Sequence, residues 1–250
     1  MADKRDNALI LLVDAPVPEK TGHELKKVFG PERAVHINLD LMHESYRSAK
    51  SYGGAILILS YEKSPKHPDL TWLDPEDPGF LEAKGRSYDD RVRAAFTLAF
   101  FTGAKKAVMI NHLCPAIKQE WIDQALSRTD DRTVALGTTQ DGSFHMIGLT
   151  QDNLRVLEDI SFSSGRTAED IAERARRLKL SAHSLPDTYV VRDEETLRKW
   201  IDSKETSPSL FKEPADKAPE TPHNGEKKHG RGKRHHNGAP ADAGTQDSTL

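Results

Sequence analysis

The sequence predicts a three-layer, doubly wound α/β domain with a mostly parallel sheet, followed by a disordered C-terminal tail. Three observations point to it. Short, unbroken apolar runs such as residues 8–13 and 55–60 read as strands buried on both faces. Between such runs lie longer stretches in which apolar residues recur at helical spacing, the alternation that joins parallel strands through crossover helices. From about Ser203 onward, Leu210 and Phe211 are the only large apolar residues before the terminal Leu250, too few to offset the entropy of ordering that stretch. The domain is therefore expected at 1–202 and the tail at 203–250.

The first expected strand, 8–13, is closed by Asp14, Ala15 and Pro16. Over residues 32–50, Ala34, Ile37, Leu41, Met42, Ser45 and Ala49 fall on one helical face, with Arg33, His36, Asp40, Glu44 and Arg47 elsewhere. Gly53 and Gly54 end this crossover helix, and residues 55–60 supply the second strand. Residues 61–85 carry Pro65, Pro68, Pro75 and Pro78 among many charges and no periodicity, so they read as a long loop and a candidate lid. Val92, Ala95, Phe96, Ala99 and Phe100 mark the next helix and residues 105–111 the third strand. A helix over 118–127 buries Trp121, Ile122, Ala125 and Leu126, and residues 133–137 follow as a strand. Asp141-Gly142 is a turn signal before a strand at 144–149. Thr167 opens a helix through Leu178, residues 180–185 form the last strand, and Asp193 caps a final helix through Trp200. Ligands of such sheets sit at the carboxyl ends of the strands, which places residues 14–25, 111–115 and the Asp141 turn where a site belongs.

Composition narrows the function classes. With 36 basic and 39 acidic residues the formal net charge is −3, so no global field drives the chain onto nucleic acid or an anionic membrane. The single cysteine, Cys114, excludes an internal disulfide framework and a Cys-rich zinc site. The apolar stretch 8–13 is too short for a signal peptide or a membrane span, so a cytoplasmic location without membrane contact is expected.

Ala15-Pro-Val-Pro18, Phe29-Gly-Pro-Glu-Arg33, Arg91-Val-Arg-Ala-Ala-Phe96, Cys114-Pro115, Gln140-Asp-Gly142 and Met146-Ile-Gly-Leu149 occur in order on matching elements. Together they resemble a bacterial family of small glycosyltransferase-A-like proteins of undefined substrate. That family lies in the nucleotide-diphospho-sugar transferase superfamily and is related to phospholactate guanylyltransferase-like nucleotidyltransferases. The resemblance implies that fold, a nucleotide or nucleotide-sugar ligand, and Mg or Mn if transfer chemistry is retained.

The departures from the family's pattern are polar. Its first loop resembles Lys-Ala-Pro-Val-Pro-Gly and then Lys-Thr-Arg-Leu, a cationic cradle for phosphates; here Asp14, Glu19, Gly22, His23 and Glu24 stand there, ending at Leu25. Its Gly-Ser-Asp-Cys-Pro is expected to hold a divalent metal through the acid; here Leu113 takes that position. Its late Asp-Val-Asp acidic patch is matched by Val190 and Arg192, with only Asp193 and Glu194 nearby, and its Asp-Leu-Gly by Ser87-Tyr-Asp89. The resemblance therefore implies a retained scaffold with changed chemistry.

On that basis the catalytic candidates are Asp141, His112 and Asp193, and the metal candidates Asp141 and His112. Lys20 and Lys26 are the candidates for meeting phosphate, with Gly142 permitting close backbone approach. His112, His145 and Asp141 read either as a converging metal or acid/base cluster or as separate, partly buried polar residues. Cys114 reads as a packed structural thiol, and Asp14 and Glu24 as solvated loop residues rather than paired carboxylates. In the tail, residues 227–236 concentrate five positive charges and three histidines, readable as an anion, nucleic-acid or metal contact or as a solubilising extension. The expected function is a divergent transferase-like protein without metal-dependent transfer that binds a ligand or protein partner. The alternative is an active transferase with a rearranged metal site.

Overall fold

The computed structural model describes residues 4–205. In chain order its strands are β1 (Asn7–Asp14), β2 (Ile56–Glu62), β3 (Leu81–Glu82), β4 (Lys106–Ile110), β5 (Thr133–Thr138), β6 (Phe144–Thr150) and β7 (Ser181–Ser184). They form one sheet in the order β3-β2-β1-β4-β6-β5-β7. The helices are α1 (His23–Phe29), α2 (Pro31–Ser51), α3 (Tyr88–Phe101), α4 (Gln119–Arg128), α5 (Thr167–Arg177) and α6 (Glu194–Glu205).

The unbroken apolar text of β1 has a direct cause. Ala8, Ile10 and Leu12 enter the core beneath α3 and α5, while Leu9, Leu11 and Val13 enter the opposite core beneath α2 and α4. Side chains alternate across a strand, so a strand covered by helices on both faces must be apolar at every position. Every ladder is parallel except those of β6, which runs antiparallel to both β4 and β5. The tight turn at 139–143 explains this, because a short hairpin can only reverse direction.

Three expectations change. Residues 23–25, placed in the first loop, instead open α1, which runs to Phe29; the helix is short, buries only Leu25, and is cut from α2 by Gly30 at φ 77°, so it carries almost no periodic signal. The candidate lid is packed down rather than free. Leu70 and Leu73 are buried, Tyr61 Oη donates to the His67 carbonyl at 2.7 Å, and Asp74 accepts from Tyr46 Oη at 2.8 Å and Lys50 Nζ at 2.7 Å. The last helix also runs to Glu205 rather than ending at Trp200. Residues 206–250, including the basic segment 227–236, lie outside the described residues. No described helix is long and apolar enough to cross a membrane.

A third apolar cluster matters for the site. Leu25, Ala34, Ile37 and Leu41 pack with Tyr189, Val191, Leu197 and Trp200, bringing α6 onto α1 and α2. Trp200 Nε1 donates to Glu44 at 3.0 Å, so the indole is satisfied where it enters.

Candidate functional site

At the carboxyl end of β1, Asp14 is buried, with a side chain 12% exposed. It pairs with Arg91 of α3, whose side chain is 11% exposed. Arg91 Nη1 also lies 3.2 Å from Glu62 Oε2 at the end of β2, and Glu62 Oε1 takes Lys20. Two carboxylates and two cations thus neutralise one another. The reading of Asp14 as a solvated loop residue is corrected. β1 extends through it, and a cation from a helix 77 residues away makes its burial tolerable. Glu24, by contrast, is exposed on α1. Lys20 is engaged with Glu62, and Lys26 Nζ donates to the Pro18 carbonyl at 3.0 Å, tying down the β1–α1 loop.

After β4, Asn111 shapes the turn. Its Nδ2 donates to the Phe144 carbonyl at 3.0 Å and its Oδ1 accepts from Leu113 N at 3.0 Å. His112 Nε2 meets Asn38 Oδ1 at 2.9 Å, and Ser45 Oγ donates to the His112 carbonyl at 3.2 Å. Leu113 packs against the third apolar cluster, and its carbonyl accepts from Val191 N at 2.8 Å. Cys114 is buried, and burial pushes its thiol well up, which leaves it un-ionised and suited to packing. His145 is wholly buried, with Nε2 donating to the Pro186 carbonyl at 3.0 Å. A Cβ at Gly137 would strike the His145 ring, which explains the glycine in β5.

Burial depresses both His112 and His145 from 6.5 to about 4, so both are neutral near pH 7. Because the folded values lie below the unfolded one, the unfolded state takes up protons first as pH falls. Stability is therefore expected to decline from pH 6.5 towards 4, by at most about 1.4 kcal/mol per pH unit for each histidine. Urea denaturation at pH 7 and pH 5 checks this; equal midpoints would contradict it.

Asp141 stands in the β5–β6 turn. Its Oδ1 accepts from Thr139 Oγ1 and from Ser143 N, and its Oδ2 lies 2.7 Å from Arg192 Nη1. Gly142 has φ 84°, and a Cβ there would be driven into the Gly165 carbonyl. Its own carbonyl accepts from Ala168 N at 3.3 Å, in the first turn of α5. A packing role accounts for this glycine. Asp193 caps α6, its Oδ1 accepting from Thr196 N at 2.8 Å and Thr196 Oγ1 at 2.6 Å, bonds that hold its carboxyl below the usual range. Asp193→Ala is expected to lower stability by about 1 kcal/mol, read by thermal denaturation.

No hydrogen bond or ion pair joins any two of Asp141, His112 and Asp193; each has its own partner. Among the described residues no group of three or more His, Cys, Asp or Glu could hold a metal ion. The residues present do not fit a divalent metal between phosphates. The Leu113 side chain offers no donor, and Arg192 brings a positive charge to the Asp141 carboxylate. Glu62 and Asn38 were not singled out from the sequence, and Arg91 entered only as part of a motif, with no site role. Their significance lies in partners distant along the chain, which local pattern does not reveal.

The sheet and its flanking helices share their fold with solved structures described as nucleotide-diphospho-sugar transferases and nucleotidyltransferases. The chain is similar to a protein assigned as a nucleotide-diphospho-sugar transferase from Desulfovibrio desulfuricans G20 (TM-score 0.70, 22% identity, covering 81% of this chain and 89% of that one). It is also similar to 4-diphosphocytidyl-2C-methyl-D-erythritol synthase from Anaerococcus prevotii DSM 20548 (TM-score 0.53, 7% identity, 80% and 96%). A third likeness is to CMP:2-keto-3-deoxy-manno-octonic acid synthetase complexed with CTP (TM-score 0.50, 10% identity, 80% and 99%). In sequence, residues 46–164 match the family described as "Uncharacterized protein conserved in bacteria (DUF2064)", which bears out the resemblance to a bacterial family. No curated protein matches the chain.

Proposed function

We propose that this chain is a binding protein on a transferase scaffold, taking a nucleotide, a nucleotide sugar or a protein partner at the carboxyl ends of its strands without metal-dependent transfer. The observation that carries this reading is the pairing of Asp141 with Arg192. A carboxylate that would have to ligate a divalent cation is already neutralised by the chain's own guanidinium, and the turn after β4 offers Leu113 in place of an oxygen donor. The Asp14–Arg91–Glu62–Lys20 network supports the same reading, since its two cations are matched internally. The structural neighbour complexed with CTP makes nucleotides the first ligands to try.

The test is a thermal-shift panel of nucleoside diphosphates, nucleoside triphosphates and nucleotide sugars, each with and without magnesium or manganese. A ligand at about a hundred times its dissociation constant adds roughly 2.7 kcal/mol of stability. The expected result is that any stabilisation is the same with metal and with chelator. Stabilisation by a nucleotide only when metal is present would overturn the proposal in favour of a transferase with a rearranged metal site.

A further inference from the structure

We infer that Arg192, beside the β5–β6 turn, anchors an oxyanion, a single carboxylate or phosphate monoester, on the ligand of this strand-end site. The inference rests on the metal-independent reading above and gives the site a ligand chemistry.

The guanidinium is held from one side only. Its Nη1 lies 2.7 Å from Asp141 Oδ2, and Asp141, with a side chain only 12% exposed, is itself fixed by Thr139 and Ser143. The backbone that carries Arg192 is pinned as well, by Val191 N donating to the Leu113 carbonyl at 2.8 Å and Arg192 N to Thr196 Oγ1 at 3.1 Å. The side chain is nevertheless 44% exposed, and among the described residues no group accepts from its Nε or Nη2. A planar guanidinium held at Nη1, with Nε and Nη2 still able to donate side by side, can meet an oxyanion bidentately.

Stability alone is a poor explanation of the pair. An ion pair whose cation is exposed to solvent contributes little to stability, while desolvating Asp141 opposes it. The neighbours set the charge of the ligand. Asp193, Glu194 and Glu195 follow Arg192 directly, so among the proposed ligands this position suits one terminal oxyanion, which meets less repulsion there than a whole polyphosphate chain would.

The experiment titrates inorganic phosphate and, separately, acetate into the full chain in EDTA, following the Arg192 Nε–H resonance and the backbone amides of 139–143 and 190–196. A saturable shift is expected for at least one anion, and which one responds separates a phosphate ligand from a carboxylate ligand. In D141N/R192Q, which keeps the local charge balance, the affinity read at the backbone amides is expected to fall at least tenfold. Absence of a saturable response to either anion overturns the inference and leaves the metal-independent reading standing. So does an affinity retained in folded D141N/R192Q. A response that appears only on adding magnesium overturns the metal-independent reading itself, and this inference with it.

Discussion

Arg91→Met is expected to destabilise the domain by about 3–5 kcal/mol, because it strands the Asp14 carboxylate at the end of β1 with its main counter-charge removed. Glu62 would then face Asp14 as a second anion with only Lys20 opposite, which adds repulsion to the lost attraction. The diagnostic companion is D14N/R91M. Removing both charges takes away the uncompensated group, so the double variant should recover a large part of the loss. Urea denaturation of the two variants and the parent measures it. If D14N/R91M is as unstable as R91M, the contact of the Arg91 guanidinium with the face of the Tyr88 ring, 5.6 Å from its centroid, is the larger contribution.

Gly142→Ala is expected to be the next most damaging change, at about 3 kcal/mol or more. Two penalties combine there: an L-residue held at φ 84°, and a Cβ forced against the Gly165 backbone carbonyl where α5 begins. The effect must appear in the absence of any ligand, as a lowered denaturation midpoint. The sequence reading gave Gly142 a different task, room for a ligand to approach the turn. If G142A kept parental stability and lost only ligand affinity, that task would be the correct one and the packing account would fail.

Much of the scaffold was legible in the sequence because it depends on local pattern. The doubly apolar text of β1, the 3.6-residue periodicity of α2, the Asp141-Gly142 turn and the Asp193 cap each specify their own element within a few residues. The antiparallel course of β6 follows from that same turn. The short helix α1 escaped because a seven-residue helix with one buried residue has no period to detect. The packed loop between β2 and α3 escaped because Leu70, Leu73 and Trp72 are held by contacts with β2 and α2 rather than by regular spacing.

The candidate site was legible only as residue types. The sequence located Asp14, His112 and Asp141 near strand ends and Asp193 at the start of the last helix, and the resemblance implied that the family's acids and cations are replaced. Which charges meet was decided by tertiary structure. Arg91 reaches Asp14 across 77 residues, Arg192 reaches Asp141 across 51, and His112 finds Asn38 across 74. Secondary structure follows from periodicity and backbone preference among near neighbours, so one sequence suffices to read it. The neutralisation of a buried charge depends on strand order and helix placement, which bring distant segments within a few ångströms, and no local pattern carries that information.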